Sequence, residues 1–128
     1  ISTPCSAPAR QVASGLRNGL RDQDMLARIG GEEFLIALPD ITLAEARGIA
    51  ERLGEIIRNS AIVLEQDIAL FITVSIGLAF CSASAGKIAS ADQPDNDAVS
   101  QIIARADHAL LASKSAGRNK ITISRSAA

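Results

Sequence analysis

Apolar residues recur at helical spacing in three parts of the chain and at strand spacing between them. Val12, Leu16 and Leu20 repeat every four residues and predict a first helix over about 9–19. Arg10, Gln11, Arg17 and Asn18 lie off that stripe. Residues 25–29 and 33–38 predict two strands, the second ended by Pro39, which cannot donate to a ladder. Thr42-Leu43-Ala44-Glu45 is a capping box and starts a helix over 43–59. Ala46, Ile49, Ala50, Leu53, Ile56 and Ile57 form its apolar face, and Arg47, Glu51, Arg52, Glu55 and Arg58 its solvated one. A short strand over 61–64, a turn at 65–67 and a long strand region over 68–81 follow. In the long region Ile72, Val74, Ile76, Leu78 and Phe80 share the core face. Phe71, Thr73, Ser75, Gly77 and Ala79 share the other, mostly small one, and Gly77 suggests a close backbone approach there.

Residues 82–96 are rich in Ser, Ala, Gly, Asp and Pro and read as a loop. Asp97 is placed to cap a last helix over 98–116, with Val99, Ile102, Ile103, Ala106 and Leu110 as its stripe and Gly117 as its stop. A strand over 121–123 and a tail over 125–128 close the chain. Residues 1–8, with two prolines and no strand pattern, read as an irregular lead-in. The order helix, strand, strand, helix, strand, strand, helix, strand predicts an α+β domain with an antiparallel-rich sheet and helices packed on it.

Composition narrows the picture. The 128 residues suit one domain, with 48% hydrophobic residues but only 2% aromatic, so the core is aliphatic. A net charge of −1 argues against a DNA-binding or anionic-membrane-binding surface. No uncharged apolar run reaches the roughly 18–20 residues of a membrane helix. No basic-then-apolar leader opens the sequence, and the expected location is the cytoplasm. Cys5 and Cys81 have neither metal spacing nor a disulfide pattern and read as core or incidental thiols.

The candidate chemistry sits between the first two strands, at Gly30-Gly31-Glu32-Glu33. Paired glycines suit a two-residue hairpin loop with positive φ at both positions. They also let a bulky ligand approach the backbone, beside carboxylates that a divalent cation or polyphosphate can reach. Being adjacent, Glu32 and Glu33 point to opposite faces of a regular strand. A solvated hairpin tip is the plain alternative.

Gly30-Gly31-Glu32-Glu33-Phe34 resembles the signature of the GGDEF family, the diguanylate cyclases, in its GGEEF form. Arg21-Asp22-Gln23-Asp24 resembles the family's RxxD inhibitory motif, and Ser75-Ile76-Gly77 its SIG strand. The stretch from Ala106-Asp107-His108-Ala109-Leu110 through Lys114 to Gly117-Arg118-Asn119 resembles its closing block. Four motifs in order are far more specific than five letters. The resemblance implies a fold like that of nucleotide cyclases, with a ferredoxin-like core. It implies an activity that joins two GTP into cyclic di-GMP with release of pyrophosphate, on Mg²⁺ or Mn²⁺, between two domains that meet face to face.

By the same resemblance Glu32 is the metal-binding and catalytic carboxylate, with Glu33 supporting it. Gly30 and Gly31 give the nucleotide room, and Lys114 and Arg118 hold its phosphates. Spaced i and i+4, those two cations share a helical face if the helix runs that far; their plain alternative is a basic helix C-terminus. Arg21 and Asp24 form the inhibitory cyclic di-GMP site, the guanidinium fork facing guanine or phosphate and the carboxylate accepting from guanine N–H groups. His108, the one histidine, reads as an exposed helix position.

The resemblance runs from about Arg10 to Ser124 and leaves out the start of the family's domain. A strand of the form D-x-D-x-F-K-x-x-N-D, with a metal Asp and the guanine-binding Asn and Asp, has no counterpart. The implied reading is an N-terminally truncated GGDEF domain over 9–124, inactive alone. The alternative is a cyclic di-GMP-binding or protein-interaction module that uses RxxD. An upstream sensory domain is an expected partner. The place of the opening strand is expected between residues 25–29 and the long strand. Pro4 and Pro8 keep the lead-in from filling it, which predicts self-association of the chain through open strand edges.

Overall fold

The computed structural model describes residues 1–3, 9–64, 67–81 and 96–124, with side chains of the last helix described from residue 98. The expected lead-in residues 4–8, the Glu65-Gln66 part of the turn, residues 82–95 of the loop and the 125–128 tail lie outside them. The last helix begins at Asn96, so Asp97 lies within its first turn and is not the cap that the sequence predicts.

Among the described residues there are three helices: α1 (Ala9–Asn18), α2 (Leu43–Asn59) and α3 (Asn96–Ser115). Thr42 caps α2 as its sequence predicts. Its hydroxyl accepts the Glu45 amide at 3.2 Å and donates to the Glu45 carboxylate at 2.9 Å. Six strands among the described residues pair in twos. β1 (Met25–Arg28) and β2 (Phe34–Ala37) are antiparallel, as are β3 (Ile62–Val63) and β4 (Ala69–Leu70). β5 (Ile76–Leu78) and β6 (Ile121–Ile123) are parallel. The long strand expected over 68–81 is therefore divided. Residues 71–74 have no ladder of their own, although Ile72 and Val74 still reach the core.

The amino-terminal segment corrects a sequence expectation. Ser2 bridges Glu33 on one side and Ser75 on the other, antiparallel to both. Ser2 and Ser75 exchange both backbone hydrogen bonds, at 2.9 and 3.0 Å. The Phe34 amide donates to Ile1 at 2.9 Å and the Thr3 amide to Glu32 at 2.8 Å. The first three residues thus form an extended segment and not an irregular lead-in. They join the two halves of the sheet in the order β1, β2, residues 1–3, β5, β6. The expectation from Pro4 and Pro8 does not bear on these three residues, each of which has a backbone donor. The neighbours are also not those expected: β2, rather than β1, faces the inserted segment.

α1 and α2 cover one face. Val12 and Leu16 pack with Ile49, Leu53 and Ile57 over Phe34, Val74 and Ile76. α3 covers the other face through Gly77. A Cβ built there would lie 2.1 Å from the Ala106 carbonyl oxygen and 2.3 Å from the Leu110 amide. Only hydrogen fits, so Gly77 sets how closely α3 approaches the sheet. Ser113 of α3 is fully buried. Its hydroxyl donates to the Ile76 carbonyl at 3.0 Å and shares a 2.6 Å bond with Thr122. The stripe expected on α3 is buried at Leu110, but Val99 and Ile103 near the other end are exposed. Cys81 is exposed, which removes it from the core.

Candidate nucleotide-binding site

The hairpin tip is a three-residue loop. The Ile29 amide donates to Glu33 at 3.0 Å and closes Gly30, Gly31 and Glu32 above it. Neither glycine takes positive φ; among the described glycines only Gly117 does. The expected two-residue turn is replaced because Arg28 holds the loop. Its Nε and Nη2 donate to the Gly30 and Gly31 carbonyls, each at 3.0 Å. A Cβ on Gly31 would meet nothing within 4 Å. Space at the tip, rather than backbone freedom, is what glycine leaves there.

Glu32 and Glu33 are both half-buried. The Glu32 backbone oxygen takes the Thr3 amide and hydroxyl, so the inserted segment braces the tip. Glu33 pairs with Lys114 from the last turn of α3 at 3.4 Å. Arg118 does not share a helical face with Lys114. α3 ends at Ser115, Gly117 turns at φ 112°, and Arg118 follows at φ 63° with its amide on the Ser113 carbonyl. Arg118 is exposed just past the stop, while Lys120 donates to the Ala116 carbonyl at 2.6 Å. Lys120 was not singled out in the sequence; a cation just beyond a helix end was its signal.

Arg21 and Asp24 form one unit. The Asp24 carboxylate is fully buried and accepts from the Arg21 amide at 2.7 Å, Nε at 3.0 and 3.1 Å, and Nη2 at 2.7 Å. Nη2 also donates to the Pro39 carbonyl at 2.8 Å. The hydrogen bond from Arg21 holds the Asp24 carboxyl below its usual range, against the opposing effect of burial, and the same bond raises Arg21. Asp24 therefore fixes the guanidinium in place, and its own oxygens already have donors. Arg52 is exposed, as expected of the solvated face, and also donates to the Gly19 carbonyl at 3.1 and 2.5 Å, closing the end of α1.

A hollow of about 520 Å³ lies between α1 and the hairpin, walled by Arg10, Arg17, Arg28, Leu26 and Phe34. Among the described residues no group of three or more His, Cys, Asp or Glu side chains could hold a metal ion. His108 is exposed on α3.

Residues 9–120 match the family described as diguanylate cyclase, GGDEF domain. The chain belongs to the GGDEF family. It is 31% identical over 115 residues to diguanylate cyclase A of Treponema denticola, covering 90% of this chain and 28% of that protein. The structure of the diguanylate cyclase SiaD in complex with its activator SiaC, from Pseudomonas aeruginosa, matches 88% of this chain and 38% of that one at 33% identity and TM-score 0.70. The GGDEF domain of DgcB from Caulobacter crescentus, solved in complex with c-di-GMP, matches 90% of this chain and 61% of that one at 26% identity and TM-score 0.72. The chain spans under a third of the Treponema protein's length. No helix among the described residues is long and apolar enough to cross a membrane.

Proposed function

We propose that this domain recognises guanine nucleotides at two places and that the 128 residues by themselves bind rather than turn over GTP. The hairpin tip and the end of α3 are the GTP-facing place. Gly30 and Gly31 leave it open, Lys114 and Arg118 offer cations to phosphate, and Glu32 is the carboxylate for Mg²⁺ or Mn²⁺. A divalent cation uses one or two carboxylates together with substrate phosphates and would neutralise phosphate charge when bound. Glu32 fits as one such ligand. With no larger carboxylate cluster among the described residues, the chain provides little beyond it.

The second place is Arg21. The observation that carries this reading is the fork held by buried Asp24, a guanidinium whose orientation is fixed before any ligand arrives. Cyclic di-GMP presents phosphate and guanine edges that suit such a fork. DgcB, solved with c-di-GMP, supports the ligand class. In family terms catalysis pairs two domains, so a homodimer belongs to the active form.

The test has two arms. Incubation with GTP and Mg²⁺ is expected to give no cyclic di-GMP, and turnover abolished by Glu32→Ala would overturn the binding-only reading. Calorimetry is expected to show cyclic di-GMP binding that Arg21→Ala removes. Binding indifferent to Arg21 would place the ligand elsewhere.

A further inference from the structure

From Ile1 to Arg21 the sequence holds three arginines, at positions 10, 17 and 21, and no Asp or Glu. Arg21 finds its carboxylate in Asp24, three residues on. Arg10 and Arg17 pair with none among the described residues. Seven residues apart, they are nearly two full turns along α1 and share one side of it. With Arg28 of β1 they wall the hollow of about 520 Å³ between α1 and the hairpin, over a floor that includes Leu26 and Ala13. No carboxylate lines it among the described residues.

The fold makes little use of these three side chains. Other arginines are tied down: Arg47 pairs with Glu51, Arg52 bonds the Gly19 carbonyl, and Arg105 reaches Ser124 and the Phe80 carbonyl. Among the described residues Arg10 has no hydrogen bond or ion pair, and Arg17 has one long bond, 3.5 Å to the Asp24 carbonyl. Arg28 gives Nε and Nη2 to the tip carbonyls and keeps Nη1. Arg10 also stands in the first turn of α1, where the helix end is itself positive and no acidic side chain offsets it. Three like charges gathered without a counter-charge repel one another, so stability does not account for their placement.

We propose that this hollow binds a small molecule carrying at least two phosphate groups. Each guanidinium is a planar fork that matches phosphate oxygens, and three of them call for several negative charges. The volume falls among those of small-molecule sites, about 300–1,000 Å³. Leu26 and Ala13 offer the body of the ligand an apolar floor. A nucleic-acid backbone is a poorer match, because the chain's net charge is −1 and the arginines ring one hollow instead of forming a stripe. The site is also separate from the GTP-facing one. Phe34 packs with the core under α1 and α2, whereas Glu33 beside it pairs with Lys114 of α3 on the other face. The proposal therefore goes beyond nucleotide binding at the tip and does not rest on it.

The probe is sodium pyrophosphate, titrated calorimetrically into the whole chain in buffer with EDTA, so that no metal ion bridges it to Glu32. One molecule per chain is expected to bind, with Kd below about 1 mM. Arg10→Gln and Arg17→Gln are each expected to weaken binding about tenfold, and the double variant to push it beyond about 10 mM. Arg58→Gln, on the solvated face of α2, and Lys114→Met are expected to stay within about twofold of wild type. Urea unfolding without ligand separates a binding role from a structural one. Arg10→Gln removes a repulsion and is expected to unfold at the same midpoint as wild type or a higher one. Absence of binding up to about 10 mM pyrophosphate overturns the proposal. So does equal weakening in Arg58→Gln, loss of binding in Lys114→Met with Arg10→Gln unaffected, or a lowered urea midpoint in Arg10→Gln.

Discussion

The ammonium of Lys114, in the last turn of α3, lies 3.4 Å from the Glu33 carboxylate beside the hairpin tip. Helix and hairpin are thereby tied across 81 residues of sequence. Both side chains are partly exposed, so the pair contributes only about 0–1 kcal/mol to stability. Glu33 holds Lys114 beside the tip, and a triphosphate there competes with it for the cation. Lys114→Met is expected to change unfolding free energy by less than about 1 kcal/mol yet weaken GTP binding about tenfold. Glu33→Gln is expected to bind GTP as tightly or better. Denaturation and a fluorescent GTP titration read both effects, and GTP affinity unaltered in Lys114→Met would take Lys114 out of the phosphate site.

Gly77 makes a sharper prediction about the fold. Both atoms nearest an added Cβ belong to the backbone of α3, at 2.1 and 2.3 Å. A helix backbone cannot step aside as a side-chain end can, so α3 must lift from the sheet. That breaks the buried Ser113 bonds to Ile76 and Thr122 as well. Gly77→Ala is expected to cost about 3 kcal/mol or more, or to prevent folding. Urea unfolding checks it. A loss under 1 kcal/mol would show that α3 is not held as closely as described.

Much of this was legible from residue order. The capping box at Thr42, the stripe of α2, the stop at Gly117 and the close approach at Gly77 are local signals, and each appears where its chemistry put it. What was not legible depends on partners distant in sequence. That Ser2 would pair with Ser75, or Arg52 with the Gly19 carbonyl, is not written in the residues around either. Proline at position 4 argues against a strand, but not for the three residues before it, which pair across the sheet. In the candidate site, the residue types at the tip and in Arg21–Asp24 were readable, but their geometry was not. The i and i+4 spacing of Lys114 and Arg118 assumed a helix that Gly117 had already ended.

The Arg21–Asp24 unit gives a pH dependence with a definite sign. Asp24 is held below the usual aspartate value, about 3.9, in the folded state. Its contribution is therefore fully present above that value and is lost as pH falls through the lowered folded pKa. The wild-type chain is expected to lose stability below about pH 4 more steeply than Asp24→Asn, and the difference between the two should shrink toward pH 2. Urea midpoints measured from pH 7 to pH 2 test this. Parallel curves for the two proteins would mean that Asp24 is not held low by its partner.

Ser2 separates a backbone contribution from a side-chain one at a single position. Its N–H and C=O both bond to Ser75, yet its buried hydroxyl has no partner among the described residues. A buried hydroxyl without a partner costs roughly 1–3 kcal/mol by mutational measures. Ser2→Ala removes that cost and leaves the ladder intact, so it is expected to stabilise the chain by about 1 kcal/mol. Ser2→Pro instead deletes the donor to Ser75 and strands that carbonyl inside the sheet. It is expected to destabilise by about 2–3 kcal/mol. The opposite signs matter more than the sizes. If the extended segment joins β2 to β5 as described, alanine raises the urea midpoint and proline lowers it. If both variants matched wild type, residues 1–3 would not be part of the sheet.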